Sequence, residues 1–285
     1  MEDYFNLFGF KINTREFILT LIIFFALVIF LIGVDILWFK VSWYGFLIGI
    51  AFILAVLIAS ELSKEKGLNK ELPYELIWLV FPLSMIGARI FYVINSLNEF
   101  PTFIDMLKIW EGGLSIYGGI IGGTLGVVIY CLIKKLNILK VFDICAPVLI
   151  LGQAIGRWGN FINKEVYGLE ITNPAFQWFP IAVNINNSWH MATFFYESII
   201  NLGGFFVLLY IIRKTKTSGI TAFTYLIWYG TIRLILESLR VQQFILYIPG
   251  TNIMFSSVVS IIMIASGVIG LVTLFLVAKN KRKNI

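Results

Sequence analysis

Apolar residues along this chain gather into long continuous runs rather than the short alternating or amphipathic patterns of a water-soluble domain. Eight runs approach or exceed the 17–25 residues that carry a helix across the hydrocarbon core: 17–38, 43–60, 76–96, 114–133, 143–159, 191–212, 220–238 and 253–278. Inside lipid only helices and closed barrels satisfy the backbone, and runs this long and continuous read as helices. The fifth is short and turns polar towards its end, so a tilted or broken helix is expected there. The first is long and no small-residue cleavage site follows it, so it reads as a span rather than a signal peptide. The pattern predicts an all-α polytopic membrane protein of about eight transmembrane helices.

Composition sharpens this picture. The chain is 59% hydrophobic and 13% charged, with a mean hydropathy of +0.89, against roughly 45–50% and 25% in soluble domains. A soluble enzyme, a secreted disulfide scaffold and a disordered binder are excluded. Cys131 and Cys145 lie in apolar stretches without metal-ligand spacing, and the single His190 excludes any two-histidine zinc motif. No metal and no cofactor are expected.

The net charge of +6 would suggest nucleic acid in a soluble protein, but in a membrane chain the placement of the cations matters more than their sum. Lys11, Arg15, Lys64, Lys66, Lys70, Lys134, Lys135, Lys140, Arg213, Lys214, Lys216, Lys279, Lys281, Arg282 and Lys283 occupy alternate connections and the two ends, 15 of the 22 cations. The opposite loops hold Lys40, Lys108 and Lys164. This asymmetry predicts both termini in the cytoplasm and the remaining loops outside, with no nucleic-acid partner.

Four cations remain, Arg89, Arg157, Arg233 and Arg240, each at the outer end of a span and each an arginine. Arginine's planar fork suits bidentate phosphate recognition, and an ionisable group at membrane depth is a site hypothesis by default. Arg157 lies in Gly156-Arg157-Trp158-Gly159-Asn160-Phe161-Ile162-Asn163-Lys164-Glu165-Val166-Tyr167-Gly168, where it is joined by two amides and a carboxylate between glycines. A snorkelling arginine accounts for Arg157 but not for Asn160 and Asn163 beside it. Arg233, Glu237 and Arg240 stand at i, i+4 and i+7 on one helical face, where one carboxylate cannot neutralise two guanidiniums. Arg89, in Gly87-Ala88-Arg89, reads equally well as an interfacial anchor.

Ser115 and Tyr117 open the fourth span, but Ser115 sits in no nucleophile elbow, which disfavours a serine hydrolase. Gly118, Gly122 and Gly126 form a stripe read as helix packing. Asp35 and Asp143 read as structural, His190 as incidental, and Trp43-Tyr44-Gly45 alone as part of an aromatic belt.

Together these residues resemble the prolipoprotein diacylglyceryl transferases of bacterial inner membranes. Residues 156–168 are similar to that family's signature. Trp43-Tyr44-Gly45, Gly87-Ala88-Arg89, Trp110-Glu111-Gly112-Gly113, Thr193-Phe194-Phe195-Tyr196-Glu197 and Trp228-Tyr229-Gly230 through Arg240 follow in the family's order. The resemblance covers roughly residues 39–278, so 1–38 is expected to be an N-terminal segment with an extra transmembrane helix and 39–285 a seven-helix transferase-like membrane domain.

The resemblance implies transfer of the diacylglyceryl group of phosphatidylglycerol to the lipobox cysteine thiol of a prolipoprotein, at a site facing the outer leaflet. Phosphatidylglycerol, prolipoprotein signal peptides and membrane lipids are then the partners. It implies catalytic roles for Arg157, Arg233, Glu237, Tyr117 and Glu165. Substrate binding is expected from Arg157, Arg233, Asn160, Asn163, Arg89, Arg240, Tyr44 and Gly168. Tyr117 stands where many members carry a histidine, so Glu111, Tyr117, Glu165 and Glu237 compete as the base. His190-Met191-Ala192-Thr193 replaces the family's His-Pro-Thr. Two other readings stay open: a transporter of an anionic lipid or metabolite, which favours midplane charges, and a non-catalytic lipid-binding scaffold.

Overall fold

A computed structural model describes residues 4–7, 10–13, 43–248 and 250–283. The expected span at 17–38 lies outside the described residues. A short hairpin, β1 (Tyr4–Leu7) and β2 (Phe10–Asn13), precedes a helical bundle. The long helices are α1 (Trp43–Glu65), α2 (Leu72–Asn95), α4 (Ile116–Lys134), α5 (Ile138–Ile162), α6 (Thr193–Lys214), α7 (Ile220–Glu237) and α8 (Phe255–Lys283), with a short α3 (Phe103–Leu107) between α2 and α4. Among the described residues, six of these helices are long and apolar enough to cross a membrane. The seventh, α7, is 18 residues long and carries Arg233 and Glu237.

α5 is the centre of the bundle and the most enclosed of those six helices, whereas α8 faces outward almost throughout. It packs against α1, α6 and α7; α2 pairs with α4, and α8 lies along α7. Contrary to the expectation of a short or broken fifth span, α5 is one unbroken helix of 25 residues. It starts ahead of the apolar run, at Ile138, where the side chain of Asn137 accepts from Lys140 N at 3.2 Å and caps the first turn, and it continues past the run's end to Ile162. Leu62, Ile144, Ile150, Leu208 and Ile212 form a fully enclosed layer between α1, α5 and α6. Trp78, Ile133 and Phe275 are exposed on the outside, as a lipid-facing surface requires.

Lipid gives apolar helices little reason to associate, so close backbone approach and polar links do that work. Between α2 and α4 the approach is made by glycine. A Cβ on Gly118 would collide with the Gly87 carbonyl oxygen, one on Gly122 with that of Leu83, and one on Gly126 would lie 3.0 Å from Val80 Cα. The packing role read from the stripe is what the structure shows. Between α5 and α7 the link is Asp143, whose carboxylate accepts from Gly219 N at 2.6 Å and Ala222 N at 2.8 Å. It thereby satisfies the otherwise unpaired first-turn amides of α7.

Replacing Gly122 with alanine is expected to destabilise the bundle by about 1–3 kcal/mol, because the methyl has no room to enter. Gly203→Ala, with nothing within 4 Å of the added atom, is expected to stay within about 0.5 kcal/mol of the parent or slightly above it. Denaturing-detergent titration followed by circular dichroism compares the two, and equal losses would mean that the glycine stripe does not set the α2–α4 distance.

Candidate active site

The polar residues at depth meet where the last turns of α5 and α7 approach the start of α6. Arg157 Nη2 lies 2.6 Å from Glu197 Oε1. Glu197 Oε2 lies 3.7 Å from Arg240 Nη2, and Arg240 Nη1 lies 3.2 Å from Glu237 Oε2. Glu237 Oε2 in turn lies 3.1 Å from Arg233 Nη2. The order is thus guanidinium, carboxylate, guanidinium, carboxylate, guanidinium. Both carboxylates are 2% exposed, so they act on the arginines rather than on solvent.

Three cations against two anions leave one positive charge. Two local facts show where it is felt. Among the described residues, Arg233 Nη1 is buried and has no hydrogen-bond partner, and Glu237 Oε2 touches two guanidiniums without hydrogen-bonding geometry to either. Arg240, just beyond α7, has its guanidinium pushed down to about 10, first by burial and then by the Arg233 and Arg157 charges, against the pull of Glu237 and Glu197. A buried donor without a partner and a cation crowded by cations are both relieved by an anion.

The backbone holds this arrangement from outside the helices. The hairpin of β3 (Ala182–Ile185) and β4 (Ser188–Met191) turns through Asn186 and Asn187 at φ of 51° and 67°, the left-handed region that a two-residue hairpin turn needs. Gly168 N donates to Met191 O at 3.1 Å, Leu169 N to Leu239 O at 2.9 Å, and Gly168 forms a bridge with Arg240. The chain leaving α5, the hairpin and the chain leaving α7 are thereby laced together around Arg240. Gly168 leaves no room for a side chain, because a Cβ there would lie 2.7 Å from both Met191 Cβ and Thr193 Cγ2. His190 belongs to the same lacing: Nδ1 faces Gly168 O at 3.1 Å, and Nε2 faces Ser188 Oγ at 2.7 Å.

The residues singled out from the sequence separate into groups. Arg157, Arg233, Glu237 and Arg240 share the network. Asn160 joins it by accepting from Arg157 Nη1 at 3.4 Å. Tyr117 packs edge-on against Phe255 at 4.7 Å and lies within electrostatic reach of Arg233, Glu237 and Arg240. The ring of Tyr44 lies on Gly159, two residues from Arg157, so close that a Cβ there would be 2.7 Å from Tyr44 Cε2. Asn163 and Glu165 contact each other at 3.5 Å on an exposed turn beyond α5. Gly168 acts through its backbone.

Arg89 is built into a different structure. Its guanidinium donates to Met106 O at 2.7 Å, Asp105 O at 2.8 Å, Gly112 O at 2.6 Å and Gly113 O at 3.1 Å, and it lies 5.1 Å from the Phe100 ring. Gly112 and Gly113 have φ of 91° and 74°, which lets both carbonyls turn towards one side chain. Arg89 therefore folds the α2–α4 connection, and the two short motifs carrying these residues are halves of one clamp.

Two members of the site lay within the motifs that carried the resemblance but were given no role from the sequence. Glu197 holds Arg157 and Arg240 together, and Tyr229 also interacts with Arg157. The signal for Glu197 was a lone carboxylate within an apolar helix, which requires a cation at the same depth. For Tyr229 the only signal was its place in the Trp228-Tyr229-Gly230 motif. Its ring stacks on Tyr225 at 5.9 Å, and Gln153 Nε2 donates to the Tyr225 hydroxyl at 2.9 Å. Among the described residues no three His, Cys, Asp or Glu side chains converge as a metal-binding group.

The sequence model of the prolipoprotein diacylglyceryl transferases matches residues 31–273. Phosphatidylglycerol–prolipoprotein diacylglyceryl transferases of Streptococcus pyogenes serotype M5 (strain Manfredo), serotype M49 (strain NZ131) and serotype M1 are each 38% identical over 253 residues, covering 86% of this chain and 93% of theirs.

Glu197→Gln keeps the shape of the side chain but leaves three largely enclosed guanidiniums, that of Arg240 buried, facing one carboxylate. The expected loss is about 3–5 kcal/mol, the usual result of orphaning a buried charge. Adding Arg157→Gln is expected to recover part of it. A double-mutant cycle on thermal unfolding in detergent reads both numbers, and strictly additive losses would mean that the pair is not coupled.

Proposed function

The chain belongs to the prolipoprotein diacylglyceryl transferase family, and we propose that it transfers the diacylglyceryl group of phosphatidylglycerol to the lipobox cysteine thiol of a prolipoprotein. In this reaction the sulfur attacks the glyceryl carbon that carries the phosphate ester. A carbon–sulfur bond forms, the carbon–oxygen bond breaks, and glycerol phosphate leaves with the electron pair. The thiol proton is the proton the system must relocate. The nucleophile arrives with the protein substrate, so the enzyme needs no reactive cysteine of its own.

The observation that carries this reading is the surplus charge of the network, focused at the unpartnered Arg233 Nη1. The substrate phosphodiester bears one negative charge, and the leaving oxygen gains more as the ester breaks. Guanidiniums already fixed by carboxylates stabilise that developing charge without first having to reorganise. Arg157 and Arg233 take the phosphate in this reading, with Arg240 adding charge behind them and Asn160 orienting the headgroup. Glu237 and Glu197 hold the guanidiniums in place. Tyr117 is the side chain poised to donate to, or take a proton from, the reacting groups, with Glu165 at the exposed rim. Tyr44 shapes the wall beside Arg157, Arg89 and Gly168 fold the loops, and Asn163 faces the headgroup region.

The lysine distribution supports a setting in the bacterial cytoplasmic membrane, with both termini in the cytoplasm and the network opening to the outer leaflet. Residues 39–285 form the transferase unit in this proposal, and 1–38 precede it.

Arg233→Lys keeps the charge and removes the fork. Turnover of phosphatidylglycerol with a lipobox peptide in reconstituted vesicles is expected to fall at least about 100-fold, comparable to loss of one oxyanion donor. The readout is the diacylglyceryl mass added to the peptide. Near-parental turnover by the folded variant would reject the phosphate fork.

A further inference from the structure

The opposite end of the bundle holds a second gathering of cations that the transfer reaction does not use. Lys66, just after α1, Lys140, in the first turn of α5, and Lys216, in the α6–α7 connection, line one recess together with Thr217, Ser218 and Asp143. Three chain segments thus send a lysine to the same place. An orientation signal needs cations on this face of the membrane, but it does not need them to converge.

The recess is short of negative charge. Its one carboxylate, Asp143, is occupied by the amides of Gly219 and Ala222. Lys66 Nζ donates to the Thr215 carbonyl oxygen at 2.8 Å, a neutral partner. Among the described residues Lys140 and Lys216 have no carboxylate partner for their side chains. The lining thus carries three positive charges and one negative charge, with the hydroxyls of Thr217 and Ser218 as further donors. The α6 turns just before this loop present an apolar groove lined by Phe206, Leu209 and Tyr210, with Arg213 and Lys214 at its end. A cationic recess whose Thr215 follows directly in the chain on Lys214 of an apolar groove offers the two polarities of a phospholipid.

We propose that the recess formed by Lys66, Lys140 and Lys216 binds a phosphate group, that of an anionic lipid in the leaflet opposite the guanidinium network. The ammonium groups meet the phosphate as point charges and the hydroxyls donate to its oxygens. Clusters of this kind, between helices and at one membrane face, recognise anionic headgroups at about a fivefold gain in affinity per lysine. The site is separate from the transfer chemistry and does not depend on it.

The test uses the full chain in detergent, in an Arg233→Lys background that weakens phosphate binding at the other end. Dioctanoyl phosphatidate and inorganic phosphate are titrated by calorimetry with and without Lys66→Gln, Lys140→Gln and Lys216→Gln together. Loss of about 100-fold in phosphatidate affinity, with no phosphate binding in either protein, supports a lipid headgroup. A matching loss for inorganic phosphate assigns the same site to free phosphate. Lys216→Gln alone, an exposed side chain without a carboxylate partner among the described residues, is expected to lose about fivefold and guards against misfolding of the triple variant. Unchanged affinity for both probes in the folded variants, or no saturable binding in the parent, overturns the proposal.

Discussion

Two buried carboxylates set the rest of this architecture. Glu197 and Glu237 hold three guanidiniums at membrane depth, and each carboxylate is shared between two arginines. Charges so placed are tolerable only when paired, so α5, α6 and α7 must converge at that level. The loops obey the same demand. Arg240 lies beyond its helix, and lacing residues 167–171 to the hairpin and to Leu239 is what returns it to the network. Below the network the helices separate into ordinary packing, glycine against backbone on one side and a dry aliphatic layer on the other.

The helices were legible because lipid imposes one rule on every span. The seven apolar runs from 43 onward each correspond to a long helix, with ends displaced by a few residues where polar caps such as Asn137 extend them. The two hairpins were not legible, since strands of four residues are too short to establish an alternation. At the site, Arg233, Glu237 and Arg240 could be grouped because helical spacing places them on one face. Glu197 could not, because its partner Arg157 lies 40 residues earlier and nothing local joins them. Arg89 looked like its three counterparts because an arginine donating to four backbone carbonyls leaves the same trace in a sequence as one awaiting a ligand.

The glycines of the 156–168 segment also divide once their neighbours are known. Gly159 accommodates the Tyr44 ring and Gly168 the crowding by Met191 and Thr193, while among the described residues nothing lies within 4 Å of where a Gly156 Cβ would stand. Two of the three are thus explained by close approach within the fold rather than by approach to a ligand. On the proposed reading the polar residues interleaved with them carry the chemistry, and the glycines keep the chain close enough for Arg157 to meet Glu197.

The charge balance also says which stage of the proposed reaction the site favours. A network carrying one positive charge neutralises a phosphodiester. The departing phosphomonoester, whose second ionisation lies near pH 6, carries up to one charge more. Electrostatic attraction therefore rises as the ester bond breaks, which is the differential stabilisation that accelerates a chemical step. The pairing within the network assigns a destination to the thiol proton. Overall charge balances whether the proton goes to the leaving phosphate or to a carboxylate, but on the phosphate it leaves Glu197 and Glu237 ionised and still holding the guanidiniums, whereas on either carboxylate it releases the arginines that carboxylate positions. On the proposed reading, a site built from three arginines and two glutamates keeps its geometry through the transfer when the proton follows the phosphate out.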